Sequence, residues 1–279
     1  MSKRIKFQFL KPGFHTLIVD NNALGYQQYG LPVGGPMDEV AAETANWLVG
    51  NLPNSPLFEI TLKGPEIIFE EDCQIAITGA NISPKIDGSD APQYETICIT
   101  QGQILRFGKL ISGCRAYLTI RGKWMQEDLK TSKKLPIERL NATSIEKVGW
   151  LGSLRRKEMP QPEGGTLVVN VKKGPEFGLL SESLKPILFE TTFNLLQDSN
   201  RMGYRLSPKL PVINESIISS GVVPGTLQIT ENGTPILLMK DGPATGGYVR
   251  ALVVIKKDVS KLGQLKPGDK LTFSLYDDV

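Results

Sequence analysis

Any chemistry in this chain has to run on carboxylates, hydroxyls, amides and guanidinium groups, because its 279 residues include one histidine, His15, and three scattered cysteines, Cys73, Cys98 and Cys114. A single imidazole removes most His-dependent templates. An odd number of cysteines with no CxxC pair fits neither a disulfide framework nor a zinc knuckle, so buried thiols in strands are expected and no metal site is assigned. Four stretches carry more glycine, amide and charge than turns need. The first runs from Val19 to Gly30, with Asp20, Tyr26 and Gln27, into Gly34-Gly35-Pro36-Met37-Asp38. The second joins Ala45 to Asn51 with Glu59 to Pro65. The third is Asn200 to Leu206, with Arg201 and Arg205, and the fourth joins Pro224 to Gln228 with Asp241 to Tyr248, including Thr245, Gly246 and Gly247.

Amides at Gly-Gly turns can form anion-binding nests, and arginine offers a two-pronged fork to a carboxylate or phosphate. Plainer roles compete with these. Asp38 sits where a helix N-terminus would welcome it, Asp20 and Asp241 suit turns, and Arg201 and Arg205 suit surface ion pairs. Gly246-Gly247 predicts an unusual backbone under either reading, which leaves Thr245 as the discriminating neighbour.

The elements that must position these groups are mostly strands. With 28 glycines and 19 prolines punctuating short alternating runs, the chain reads as many short strands joined by tight turns. Phe58, Ile60 and Leu62, then Ala116, Leu118 and Ile120, then Leu167, Val169 and Val171 alternate with polar residues or neighbours of the other face, each set predicting a half-buried strand. Asn232-Gly233 between Leu227–Ile229 and Ile236–Met239 predicts a hairpin with a type I′ turn. One helix is expected over Met37–Val49, after Pro36 and before Gly50, and a shorter one over Asp258–Leu265, closed by Lys266-Pro267-Gly268-Asp269. Helices therefore decorate sheets and do not alternate with strands. The pattern weakens from Lys123 to Gly165, where Lys130, Lys133, Lys134 and Arg155-Arg156-Lys157 look like a solvated seam. The expected organisation is 1–122, a divergent connection 123–165, and 166–279.

Composition narrows the function classes. Hydrophobic residues at 40% and charged residues at 22% describe an ordinary folded chain. A net charge of +3 is too small for nucleic-acid binding driven by counterion release, so no nucleic-acid partner is expected. The longest apolar run, Ala251–Ile255, cannot cross a bilayer, and no signal-like segment follows the first residues; no membrane partner and a cytoplasmic location are expected. GxGxxG, GxSxG and HExxH are absent, and Gly102 to Leu110 misses a P-loop by spacing and by Leu where Ser or Thr is needed.

At the four polar stretches the chain resembles the carboxyltransferase-like family that includes the C subunit of ATP-dependent 5-oxoprolinase, allophanate hydrolase subunit 2 proteins and the carboxyltransferase segment of urea carboxylase. The similarity is ordered from about Gly13 to Phe273. It includes Asp20, Gly25-Tyr26-Gln27, Gly35, Met37-Asp38, Ala45-Asn46, Leu48–Asn51, Glu59, Gly64-Pro65, Thr78-Gly79-Ala80, Arg115–Leu118, Gly174-Pro175-Glu176, Arg201–Leu206, Gly225-Thr226, Gln228, Asp241, Thr245–Tyr248 and Pro267-Gly268-Asp269. Two arginines of the family pattern are missing: Asn22-Ala23 stands where Gly-Arg is usual, and Gly242-Pro243 where Arg-Gln is usual. Lys240 or Arg250 could substitute.

The resemblance implies a mostly β fold of two packed β-barrel-like halves, the C-terminal one cyclophilin-like, with a few short helices and any active cleft between the halves. It implies a hetero-oligomeric subunit of an ATP-dependent 5-oxoprolinase, a hydrolase not active alone that opens the lactam to glutamate. ATP would be bound by or shared with the other oxoprolinase subunits. In that reading Asp20 and Asp241 are catalytic, a carboxylate steering water, while Tyr26, Gln27, Asp38, Arg201, Arg205, Gln228, Thr245, Gly246, Gly247 and Tyr248 bind the small amide or lactam. The urea carboxylase similarity implies an alternative, biotin-dependent carboxyl transfer to an amide or urea nitrogen, with the biotin on a separate carrier. The missing arginines favour a third, a non-catalytic regulatory or binding subunit.

Overall fold

The short alternating runs fold as strands, and the protein is mostly β. The computed structural model describes residues 4–20, 25–124, 143–147, 149, 152, 165–213, 215 and 217–276. These divide into two compact units, one from the described residues of 1–22 and 38–161, the other from those of 23–37 and 162–279. Residues 25–37 thus belong by contact to the later unit although they precede most of the first. No described helix is long and apolar enough to cross a membrane.

The first unit holds β1 (Arg4–Lys11), β2 (His15–Val19), α1 (Glu39–Leu48), β3 (Leu57–Thr61), β4 (Glu66–Phe69), β5 (Cys73–Asn81) and β6 (Pro84–Ile86). It continues with β7 (Ser89–Asp90), β8 (Ile97–Ile99), β9 (Ile104–Phe107), β10 (Ser112–Ile120) and β11 (Thr143–Glu146). One sheet runs β11-β1-β4-β9-β6-β7, the other β2-β3-β10-β5-β8. Phe7 and Phe69 from the first and Phe58, Ile60, Ile75 and Leu118 from the second share one core, with the Phe7 and Phe58 rings edge to face at 5.9 Å.

On its other side the second sheet meets α1, where Ala41 and Ala45 pack with Leu57 and Tyr117, and Leu48 packs with Ala76. β3, β5 and β10 are therefore buried on both faces, where the alternation at Phe58–Ile60 and Ala116–Ile120 predicts half-buried strands for β3 and β10, and the polar Glu59 and Thr119 are enclosed with them. Cys73 and Cys114 are buried in β5 and β10, whereas Cys98 in β8 is exposed; burial pushes the Cys73 thiol up to about 12, keeping it protonated and inert. Gly102 turns at φ 89° into β9, so the near P-loop is a turn feeding a strand. Residues 125–142, with Lys130, Lys133 and Lys134, and Arg155-Arg156-Lys157 lie outside the described residues. Further along the connection, β11 pairs antiparallel with β1 as an edge strand.

The second unit is a closed barrel. Its elements are β12 (Thr166–Lys173), α2 (Leu184–Glu190), β13 (Phe193–Leu195), β14 (Gly203–Ser207), β15 (Ser220–Gly221), β16 (Thr226–Ile229) and β17 (Pro235–Leu238). After them come β18 (Thr245–Gly246), β19 (Val249–Val254), α3 (Lys256–Leu262) and β20 (Lys270–Leu275). The barrel order is β12-β19-β16-β17-β14-β13-β20, with β12 and β20 parallel. Tyr204, Leu227, Ile229, Leu237, Leu271 and Phe273 fill it, and Met37 joins the same core. β16 and β17 form the predicted hairpin, but only Gly233 takes positive φ, 78°, so the turn is not type I′, which needs two such residues. α3 starts earlier than its sequence pattern, at Lys256, and the Lys266–Asp269 turn follows it with Asp269 accepting from the Lys266 amide at 2.9 Å.

Candidate functional site

Two clusters of polar groups lie in the second unit. The first is built on the turn before β14 and the turn after β17. Arg201 donates from Nε to Asp241 Oδ2 at 2.9 Å and from Nη2 to Asp241 Oδ1 at 3.2 Å, and Nη2 also reaches the Gly35 carbonyl at 2.7 Å. Backbone pairing fixes the two turns together, with the Asp241 amide on the Arg201 carbonyl at 2.9 Å. The Gly34 amide donates to the Lys240 carbonyl at 2.7 Å, so residues 34–35 are fastened to both turns. Upstream on the same segment, Gln27–Tyr29 form a single 3-10 turn, and the Gly25 amide donates to Gln27 Oε1 at 3.0 Å. The rings of Tyr26 and Tyr29 lie 6.4 Å apart, and both are exposed.

The second cluster lies on the outside of the barrel. Along β16 the neighbours Leu227 and Ile229 point into the core, so Gln228 points outward, opposite Ile236 and Arg250 in register. Arg205 is the outward residue of β14 opposite Ile236, which makes Arg205, Ile236, Gln228 and Arg250 one row across four strands. Arg205 pairs at 3.0 Å with Asp198, both well exposed, an arrangement worth little in stability.

Residues 243–248 cross over Gln228 from outside. β18 pairs with β15, Thr245 opposite Gly221 and Gly246 opposite Ser220, and Gln228 Nε2 donates to the Tyr248 carbonyl at 3.4 Å. Arg250 anchors this ribbon through the Gly221 carbonyl at 2.7 Å, and its guanidinium grips both carboxylate oxygens of Glu176, Nε to Oε2 at 2.7 Å. That grip holds the Glu176 carboxyl below its ordinary range and raises Arg250. Contrary to the sequence expectation, neither Gly246 nor Gly247 takes positive φ. The space a side chain at Gly246 would take is held by the Gln228 carboxamide: a Cβ there would lie 2.4 Å from Nε2, so the carboxamide would have to move.

The remaining sequence candidates belong to the first unit. Asp20 follows β2. Asp38 caps α1, accepting from the Ala41 amide at 3.0 Å. Its own amide donates to Tyr117 Oη at 2.8 Å, which donates to Glu59 Oε2 at 2.9 Å, with Arg115 Nε 3.6 Å from Glu59 Oε1. Burial, together with the nearby Glu59 and Asp38 charges, holds the Tyr117 hydroxyl well above its ordinary value, so it stays a donor. The sequence does not mark Glu176, Glu59 and Tyr117 as site groups, and it marks Arg250 only as a substitute for a missing family arginine. The signal was present in the opposite charges of Gly174-Pro175-Glu176 and Arg250, two residues that nothing local could pair. Among the described residues, no group of three or more His, Cys, Asp or Glu side chains could hold a metal ion.

This order of strands and polar turns coincides with a known domain. The family model for the carboxyltransferase domain, subdomain A and B, matches residues 29–133 and 123–275. The chain belongs to the carboxyltransferase domain family. It is 31% identical to urea amidolyase of Saccharomyces cerevisiae over 94% of this chain and 16% of that protein. It is 29% identical to the 5-oxoprolinase C subunit of Escherichia coli over 95% of this chain and 90% of that protein. The solved urea carboxylase of Kluyveromyces lactis superposes with a TM-score of 0.82 at 27% identity, covering 98% of this chain and 27% of that one. The chain therefore spans a small part of the large urea enzymes and 90% of the Escherichia coli 5-oxoprolinase C subunit.

Within the carboxyltransferase domain, part of the ordered similarity is scaffolding. Asn46 donates to the Pro53 and Ser55 carbonyls at 3.2 and 2.8 Å and accepts from Thr119 Oγ1 at 2.8 Å. Asn51 donates to the Ile120 carbonyl at 2.9 Å and accepts from the Gly122 amide at 3.1 Å. These amides tie the end of α1 to β10, and Gly50, at φ 68°, supplies the left-handed residue that stops the helix.

Proposed function

We propose that this carboxyltransferase domain is the amide-binding subunit of an ATP-dependent 5-oxoprolinase, working with the other oxoprolinase subunits to open the 5-oxoproline lactam to glutamate. The observation that carries this reading is the alignment with the 5-oxoprolinase C subunit, which spans 90% of that protein where the urea amidolyase alignment spans 16% of its own. The chemistry needs a neutral amide to be held and oriented while water is directed at its carbonyl carbon. Gln228 and the strand-like ribbon Thr245–Gly246 supply neutral donors and acceptors for such a group. Asp241, fixed by Arg201, is a carboxylate whose orientation is set before any ligand arrives.

A lactam is a poor electrophile, and ATP would supply the activation by phosphorylating the carbonyl oxygen. Two places in the first unit that could have cradled a phosphate do not fit the nucleotide: the Gly102 turn leads into a strand, and the first turn of α1 is occupied by the Asp38 carboxylate. In this reading the nucleotide belongs to the partner subunits, and no step of this chain runs through it.

A second reading is favoured by the identity to urea amidolyase and the superposition on urea carboxylase: carboxyl transfer from carrier-borne biotin to a urea or amide nitrogen. Reconstitution separates the two. The chain is mixed with its candidate oxoprolinase partners and ATP, and glutamate release from 5-oxoproline is followed with each component omitted in turn. Release that requires this chain supports the first reading. Release unchanged without it sinks that reading, and ATP- and bicarbonate-dependent carboxylation of urea that requires this chain, in the presence of a biotin carboxylase and a biotinylated carrier protein, would establish the second.

A further inference from the structure

At the end of β19 remote from Arg250, the barrel carries an open cavity of about 460 Å³ lined by Lys172, Val253–Lys257 and Tyr276. Backbone pairing holds its three segments in place. Lys172 stands opposite Val253 in register, the Ile255 amide donates to the Asn170 carbonyl at 3.0 Å, and the Tyr276 amide donates to the Val171 carbonyl at 2.8 Å. Lys172 Nζ and Lys257 Nζ lie 5.9 and 5.2 Å from the centre of the same Tyr276 ring, so attraction to one aromatic ring keeps two like charges near each other. The carboxylate next in sequence is committed elsewhere. Asp258, 0% exposed, accepts from the Asn170 amide and Nδ2 at 2.9 and 2.7 Å and pairs with Lys261 at 2.6 Å. Neither Lys256 nor Lys257 forms an ion pair among the described residues.

Ammonium groups gathered beside the apolar Val253–Ile255 floor suit an anion that also has an organic body. Lysine acts on phosphate as a point charge, whereas planar recognition of a carboxylate relies on the arginine fork, and no arginine is among the described lining residues. The volume is that of a small-molecule site. We propose that this cavity binds a small phosphate monoester, with its dianion among Lys172, Lys256 and Lys257 and its organic body on Val253–Ile255. The site is separate from the candidate amide site and does not depend on the function proposed above. 5-Oxoproline, a small polar ring with a single carboxylate, is not its ligand.

The test titrates the isotopically labelled full chain with phenyl phosphate, with inorganic phosphate as the bare anion and benzoate as the carboxylate. Backbone shifts are expected at Lys172, Val253–Lys257 and Tyr276. Phenyl phosphate is expected to bind about tenfold more tightly than inorganic phosphate, through the apolar floor, and about fivefold more tightly than benzoate, through its second charge. Lys257→Gln and Lys172→Gln are each expected to weaken it about three- to fivefold, and Lys209→Gln, an exposed residue that does not line the cavity, to leave it unchanged. Asp277→Asn with Asp278→Asn removes the two negative charges that follow Tyr276 in sequence, and this variant is expected to bind at least as tightly as the wild type. Val253→Glu, which sets a carboxylate on the floor, is expected to abolish binding and serves if a lysine variant does not keep the wild-type melting transition. The proposal is overturned by the absence of shifts at these residues, by inorganic phosphate or benzoate binding as tightly as phenyl phosphate, by Lys209→Gln costing as much as Lys257→Gln, by weaker binding in the double asparagine variant, or by binding that survives Val253→Glu.

Discussion

Arg201 and Asp241, 40 residues apart in sequence, meet through two parallel hydrogen bonds while the same guanidinium holds the Gly35 carbonyl. Three stretches with separate polar motifs are thereby tied at one point. The geometry gives Arg201 a structural duty in addition to any ligand contact, and it makes the pair asymmetric: removing the arginine leaves a largely covered carboxylate, while neutralising the aspartate leaves a guanidinium with a carbonyl still to hold.

Arg201→Ala is accordingly expected to destabilise the protein by about 2–3 kcal/mol, and Asp241→Asn by roughly 1 kcal/mol. Urea unfolding followed by circular dichroism measures both. Equal costs for the two variants would contradict the asymmetry.

A pH dependence follows from Glu176, whose carboxyl is held below its ordinary range by hydrogen bonds from Arg250. A depressed folded pKa contributes stability that is complete above the unfolded carboxyl value, near 4.5, and is lost as pH falls through the lower folded value. The wild type should therefore lose stability below about pH 4.5 more steeply than Glu176→Gln. Melting temperatures from pH 3 to pH 7, roughly spanning that titration, check this; parallel curves for the two proteins would count against it.

Tyr117 bridges the Asp38 amide and the Glu59 carboxylate inside the first unit, where Glu59 is 1% exposed. Tyr117→Phe preserves shape and strips a partner from both groups, so a loss of about 2–3 kcal/mol is expected. The decisive comparison is with Tyr29→Phe on the exposed 3-10 turn, which should change stability by less than about 0.5 kcal/mol. Similar effects for the two would show that the buried bridge does not bear on folding.

Helix α1 was readable from sequence because its signals are local: Asp38 as cap, an apolar stripe and Gly50 as stop. The β16–β17 hairpin was readable for the same reason, while its turn type was not, since Asn232 did not take the conformation its identity permits. Burial on both faces of β3 and β10 escaped the alternation, because Glu59 and Tyr117 look like solvent-facing positions until α1 is laid over them. The reason for Gly246 was equally hidden: it lies in a non-local contact with Gln228, not in the dihedral angles of the glycine. Ordered similarity pointed to Asn46 and Asn51 as readily as to Gln228, and only the hydrogen bonds separate the scaffold from the outward-facing polar groups.

The most direct test of the account is where a small amide touches the chain. Backbone amide resonances of the isotopically labelled protein are followed while 5-oxoproline is added. The account predicts shifts concentrated at Gln228, Arg205, Asp241 and Thr245–Tyr248, with Leu271 and Phe273 in the barrel core unmoved. Shifts confined to the first unit, or to the Lys256–Lys257 corner of the barrel beside Tyr276, would contradict it.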